Sequence, residues 1–159
     1  HNEPQTASDI LMVPIDGSAA PVPVVQTRAR DGQARLSRDG TWLAYVSDES
    51  GRNEVYVQRF RDPATRQQVS LAGGASPRWR ADGREIFFLA AGREHLWAVD
   101  LNVAGAAPAP GIAHLLFKAS RRLADYDVTG DGQRFLLALE APREASALSA
   151  VRSWQALLR

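Results

Sequence analysis

Apolar and polar positions fall into short runs of period two punctuated by Asp-Gly pairs, and the most regular run, LSRDGTWLAYVSDESGRNEVYVQRF at 36–60, sets the pattern for the chain. Asp39-Gly40 predicts a tight turn, because Gly accepts positive φ and an Asp side chain can bond the backbone two residues on. Thr41 to Ser47 then predicts a strand in which Trp42, Ala44 and Val46 alternate with Leu43 and Tyr45. Both faces carry bulk, as in a strand buried between two packed sheets. The polar run Asp48 to Asn53, with Gly51, reverses the chain. Glu54 to Phe60 resumes the alternation, with Val55, Val57 and Arg59 on one face and Tyr56, Gln58 and Phe60 on the other.

The same grammar returns at 76–101 around Asp82-Gly83, and at 126–140 around Asp131-Gly132. The turns are separated by 43 and 49 residues, near the roughly 40–50-residue period of propeller blades. The predicted fold is therefore all-β, a partial β-propeller of four-stranded antiparallel blades with two complete and two partial repeats. Residues 8–27 read as the outer two strands of a first blade, with strands at 9–15 and 21–26, where Pro21 and Pro23 suit a sheet edge. Residues 33–71 read as a complete blade with strands at 34–37, 41–47, 54–60 and 66–71. A second complete blade, 76–118, takes 77–80, 85–89, 95–101 and 113–118, with VAGAAPAPG at 103–111 as a surface loop. Residues 124–159 read as a partial final blade with strands at 124–128 and 133–139 and a C-terminal tail. In that tail Ala145 to Arg159 favours helix by propensity, while Leu148 to Trp154 reads equally as a third strand. The first seven residues are polar and predict a frayed terminus. An opening HNEPQ, without Met or an apolar leader, reads as a piece cut from a longer precursor.

Composition adds mainly exclusions. Hydrophobic residues make up 45% and charged residues 23%, which is globular and argues against disorder. The net charge of +1, from 19 basic and 18 acidic residues, gives no global field toward nucleic acid or an acidic membrane. Lys118 is the one lysine, a bias that reads as genomic rather than as a guanidinium-lined phosphate site. With no cysteine there is no disulfide, thiolate metal site or cysteine nucleophile. No apolar run reaches the ~18–20 residues that cross a bilayer, so no membrane insertion by this segment is expected.

The recurring acids do not read as catalysts. Asp39, Asp82 and Asp131 each precede a turn glycine (Gly40, Gly83, Gly132), where a carboxylate bonding backbone amides is the ordinary role. DVTGDG at 127–132 places Asp127, Thr129 and Asp131 at alternating positions of a calcium loop with Gly132 after them, but Ala138 stands where a bidentate Glu is required. His1, His95 and His114 lie in no zinc-binding spacing. Ser37, Ser47, Ser50 and Ser76 belong to turns of the repeat, not to a GxSxG elbow. Gly73 and Gly74 follow a strand but open no helix, so they form no nucleotide fingerprint. No catalytic, cofactor or metal residue is assigned. Trp42, Trp79, Phe87, Phe88, Trp97 and Phe135 recur at strand positions and predict packing between blades. What exceeds structural need is the charge in the loops between second and third strands. Asp48, Glu49, Arg52 and Asn53, with Arg93 and Glu94 of the next repeat, are the candidate docking residues, beside the small-residue loop at 72–76. Charge reversal at Glu49 and Arg52 is expected to weaken partner capture and leave stability unchanged.

The runs SRDGTWLAYVSDESGRNEVYVQRF, GGASPRWRADGREIFFL, LF at 116–117, YDVTGDGQRFLL and a closing SWQALL resemble the TolB-type, WD-like β-propeller repeats of bacteria. They look most like the propellers attached to transmembrane serine/threonine kinases and winged-helix regulators, and the likeness covers about residues 8–158. The resemblance implies a non-catalytic interaction or sensing module of a larger bacterial envelope or signalling protein, with a protein or small-molecule ligand. It also implies a periplasmic or extracytoplasmic location, since the family's namesake belongs to a periplasmic cell-envelope complex. Similar repeats precede the catalytic domain of prolyl-oligopeptidase-type hydrolases, so an accessory propeller segment of such an enzyme is the alternative. Two complete and two partial repeats do not close the family's usual ring of six or more blades, and self-association through open blade edges is expected.

Overall fold

The computed structural model describes residues 7–141, and every described element is a strand or a turn. The turns at the three Asp-Gly pairs are built alike. The N–H of Gly40, Gly83 and Gly132 donates to the carbonyl of Ser37, Arg80 and Thr129 at 2.9, 3.0 and 2.8 Å. The Asp between them accepts twice on one oxygen. Asp39 Oδ1 takes the Ser37 hydroxyl at 2.5 Å and the Thr41 N–H at 3.1 Å. Asp82 Oδ1 takes Arg80 Nε at 2.8 Å and the Arg84 N–H at 3.0 Å. Asp131 Oδ1 takes the Thr129 hydroxyl, and the Gln133 N–H at 3.0 Å. These bonds hold all three carboxyls below the usual aspartate range, the side-chain donor at Ser37, Arg80 or Thr129 being the largest cause in each case.

Gly83 lies at φ +71, and a Cβ there would meet Ser37 Cβ at 4.0 Å, an ordinary contact. A side chain there meets backbone strain and no clash, costing about 1–2 kcal/mol for an ordinary residue and more for a β-branched one. Gly83→Val is accordingly expected to lower the melting temperature by several degrees, and an unchanged value would reject the role of this turn.

The described residues hold thirteen strands: β1 Ile10–Met12, β2 Val22–Val25, β3 Asp31–Leu36, β4 Trp42–Ser47, β5 Glu54–Arg59, β6 Asp62–Gln68, β7 Ala75–Trp79, β8 Glu85–Leu89, β9 His95–Asn102, β10 Ala109–Pro110, β11 His114–Lys118, β12 Leu123–Val128 and β13 Phe135–Leu139. They pair antiparallel in chain order. β3-β4-β5-β6 form one four-stranded sheet; β7-β8-β9 carry β10 and β11 on the outer side of β9; β1-β2 and β12-β13 form two-stranded sheets. The molecule is a partial β-propeller.

Alternation decides how the sheets stack. All six residues of β4 are buried. Leu43 and Tyr45 point toward β1-β2, joining Val25, Tyr56, Ile10 and Val24. Ala44 and Val46 point the other way, joining Val55, Val57, Ile86, Phe88 and Val99. In β8, Ile86 and Phe88 face back into that layer, while Phe87 and Leu89 pack forward on Leu96, Ala98, Leu123, Tyr126 and Phe135. Each complete sheet is thus an interior strand layer with apolar cover on both faces, the condition that makes its strands read as bulky on every position. Phe87 and Phe135 meet edge to face at 5.1 Å, and Trp79 Nε1 donates to the Arg35 carbonyl across the seam at 2.9 Å.

Most strand bounds differ from the sequence reading by one to four residues: β1 stops at Met12 instead of 15 and β7 starts at Ala75 instead of 77, and two further differences have a cause visible in the backbone. β3 begins at Asp31 instead of 34, because a bulge between Gly32 and Arg35, with Gln33 at φ 52, keeps residues on both sides of it in the ladder. The outer strand of the first complete sheet is 62–68 rather than 66–71. Arg59 pairs with Asp62 through a hairpin with Arg61 at φ 64, so β6 starts early. It then stops at Gln68, where the N–H groups of Val69 and Ser70 both turn to the Val55 carbonyl at 2.8 and 3.4 Å. Val69 enters the core off the ladder, which is why its apolar character looked like strand. Within 103–111, Ala109–Pro110 pairs with Leu101–Asn102, so the loop carries a short strand. The readings made at residues 1–6 and 142–159, including His1, SWQALL and the candidate strand 148–154, lie outside the described residues.

Candidate docking face

The loops after β4 and β8 emerge at the end of the sheets where the chain also crosses from one sheet to the next, and each loop is tied to a crossover. Asp48 Oδ1 accepts the Arg30 N–H at 2.8 Å. The Asn53 carbonyl accepts the Gly74 N–H at 2.9 Å. In the following loop, the Glu94 carbonyl accepts Ala119 N–H at 2.7 Å, and the Arg93 carbonyl accepts Leu123 N–H at 2.8 Å.

At the centre of the first of these ties is a residue that the sequence reading passed over. Glu54 is fully buried at the first position of β5. One carboxylate oxygen accepts the Gly73 N–H at 2.9 Å and Arg52 Nε at 2.7 Å; the other accepts the Ser70 hydroxyl. Ser70 Oγ in turn accepts the Val55 N–H at 2.8 Å. The crossover backbone runs so close here that a Cβ on Gly74 would stand 2.5 Å from Ser70 Oγ and 2.9 Å from Val55 Cγ2, so only glycine fits. A signal for this role was present: Asp9 stands before Ile10-Leu11-Met12 as Glu54 stands before Val55-Tyr56-Val57, and Asp9 Oδ2 accepts Gln26 Nε2 at 3.2 Å.

The six candidate docking residues separate accordingly. Arg52, although its side chain is 61% exposed, is anchored: besides Glu54 it donates to the Leu71 carbonyl at 2.5 Å. Arg93, at φ 59, is a clamp between sheets. Its Nε donates to the Leu123 carbonyl at 2.8 Å, one terminal nitrogen to the Ala124 carbonyl at 2.6 Å and the other to Ser76 Oγ at 3.5 Å. Tyr126 reinforces the same seam by donating to the Ser76 carbonyl at 2.8 Å, and burial pushes its phenol well up. The expectation that charge reversal at Arg52 leaves stability unchanged is corrected by this geometry, because Arg52 neutralises a buried carboxylate. Asp48 and Glu49 instead stand in the wall of a groove of about 550 Å³ with Gln26, Thr27, Arg28 and Arg66. There Glu49 pairs with Arg66 at 2.6 Å, which holds its carboxyl below the usual range, and Arg66 lies 4.7 Å over the Tyr56 ring. Asn53 is exposed and Glu94 half-buried.

The structure does not bring the other candidate residues together. Asp127 accepts the adjacent Val128 N–H and Asp131 belongs to its turn. His95 and His114 stand at opposite ends of the β9–β11 ladder. Among the described residues no three of His, Cys, Asp and Glu converge as a metal site would require. A second concavity, of about 570 Å³, opens between the complete sheets, lined by Val69, Leu71, Phe88, Trp97, Ile112 and Ala113.

Comparison with solved structures places this architecture. TolB from Acinetobacter baumannii aligns over 86% of this chain and 44% of its own, with a TM-score of 0.51 and 18% sequence identity. The fold is TolB-like. The chain spans less than half the length of that neighbour. Searches against protein-family profiles and against curated proteins gave no match.

Proposed function

We propose that this chain is a non-catalytic interaction and sensing module, the propeller part of a larger bacterial envelope or signalling protein such as a receptor-type serine/threonine kinase, working on the extracytoplasmic side. The observation that carries the reading is the bracing of the loop face. Glu54 and Arg93 spend buried and cross-sheet hydrogen bonds on fixing two loops and two crossovers, and a preorganised surface loses little entropy when a partner docks. The TolB-like fold supports the same reading by analogy. Asp48 and Glu49, with Asn53 and Glu94, are the residues that present chemistry to a protein partner. A small apolar ligand is the second reading, favoured by the cleft under Trp97 and Ile112.

The test is capture of envelope proteins on the immobilised chain. Glu49→Gln with Asn53→Arg is expected to reduce capture with the melting temperature nearly held, since Glu49→Gln removes one partly exposed ion pair, a type that contributes about 0–1 kcal/mol, and sets no like charge against Arg66. Arg52→Glu is expected to lower the melting temperature as well, because it sets like charge against buried Glu54. Equal capture by the Glu49/Asn53 variant removes this face as the docking site.

A further inference from the structure

We propose that the cleft between the two complete sheets binds a small, uncharged, planar aromatic molecule, stacked on Trp97 in the place that an arginine fills in the neighbouring seam. The proposal rests on the small-ligand reading above and narrows it to a ligand class. Tyr56 and Trp97 are equivalent residues: each faces an aromatic residue, Tyr45 or Phe88, that follows its turn glycine by the same interval. On the outer strand, Tyr56 faces Gln68 and Trp97 faces Leu115. Two positions before these stand Arg66 and Ala113. Arg66 lays its planar guanidinium 4.7 Å over the Tyr56 ring and pairs with Glu49 at 2.6 Å. Ala113 has no atoms to do either, and the loop after β8 opens Ala90-Ala91-Gly92 where the loop after β4 carries Asp48 and Glu49. One seam supplies its own planar stacking group; the other leaves the space beside its aromatic ring open.

That space belongs to the cavity of about 570 Å³, inside the range of roughly 300–1,000 Å³ for small-molecule sites. Its chemistry selects against charge. None of the described residues lining it is charged, so an ion entering among Val69, Leu71, Phe88 and Ile112 loses hydration and finds no counter-charge. The ring of Trp97 attracts cations, but Arg66 sits over its own ring with the Glu49 carboxylate beside it, and the Trp97 cleft offers no such acid. Aromatic rings stack without that requirement. Polar contact comes from the exposed Gln67 and Gln68 at the rim. Gln68 Nε2 donates to the Ser70 carbonyl at 2.7 Å, which leaves its Oε1 to accept from a ligand N–H. The wall formed by the crossover is already fixed: the Gly73 N–H donates to Glu54 at 2.9 Å, and the Leu71 carbonyl accepts from Arg52 at 2.5 Å. Binding there orders little that is not ordered beforehand.

Probes of one size separate planarity from charge: benzamide, benzoate, benzamidinium and cyclohexanecarboxamide. Each is titrated into the isotope-labelled full chain and followed by nuclear magnetic resonance at the indole N–H of Trp97, assigned by its loss in Trp97→Phe. Benzamide is expected to bind at about millimolar or tighter, the affinity a fragment of this size reaches. The others are expected to bind about tenfold or more weakly, because each carries an uncompensated charge or lacks the plane. Ala113→Arg rebuilds the arrangement of Arg66 inside the cleft and is expected to abolish benzamide binding with β-sheet circular dichroism retained. Ala113→Leu fills the same space without charge, and keeps the test should the arginine variant fail to fold. Equal binding of cyclohexanecarboxamide or of a charged probe overturns the ligand class and leaves the small-ligand reading standing. Benzamide binding that survives filling at Ala113 overturns the site. Absence of binding by every probe overturns the proposal and removes the small-ligand reading with it.

Discussion

Glu54→Ala is expected to lower the unfolding free energy by about 3 kcal/mol, between the ~1–3 kcal/mol for an orphaned buried polar group and the ~3–5 kcal/mol for breaking a fully buried pair. The substitution leaves the Gly73 N–H and the Ser70 hydroxyl without their acceptor inside the crossover, whereas Arg52, mostly exposed, can turn to water. For a chain of this length that free energy corresponds to a melting temperature lower by roughly 6–12 °C. Glu54→Gln keeps one acceptor oxygen and is expected to lose about half as much. Urea titrations of the three proteins at one fixed concentration decide it. An alanine variant as stable as the parent would show that the network does not hold the crossover.

The arrangement of strands was readable because it depends on local signals. Asp-Gly turns, polar reversals and period-two alternation act over a few residues, and β8 occupies the residues 85–89 read as the strand after the Asp82-Gly83 turn. The double-sided bulk of Trp42 to Val46 translated directly into two interfaces, since a strand sorts successive side chains to opposite faces. The part of the bracing made by arginines was not readable. Arg52 and Arg93 sit in polar loops where a charge looks like solvated surface, and their partners lie 19 to 31 residues away at Leu71, Leu123 and Ala124. Val69 shows the same limit from the apolar side: it was read as part of the strand at 66–71, but it reaches the core by leaving the ladder. Hydropathy ranks residues by burial and does not say whether the backbone beneath them pairs.

Since each described seam has its own apolar core and polar clamps only between adjacent sheets, damage to one seam should stay local, as in other stacked repeats. Phe87 tests this. It is buried, packs forward on Leu123 and Tyr126, meets Phe135 edge to face at 5.1 Å, and its ring tip lies 3.1 Å from where a Cβ on Gly132 would stand. It therefore locks both strands of the β12-β13 hairpin and the turn between them to β8. Phe87→Ala is expected to cost about 3–5 kcal/mol, the range for truncating a buried phenylalanine. Phe88→Ala, one residue on, removes a similar side chain from the opposite seam, where it packs with Val46, Val57 and Val99. Amide hydrogen exchange separates the two. With Phe87→Ala, protection is expected to fall first and most in residues 123–139, with β4 and β5 little changed; with Phe88→Ala, the loss should centre on β4, β5 and β8. Equal loss of protection along the whole chain in both variants would mean that the sheets unfold as one unit, and the nearest-neighbour account of this fold would be wrong.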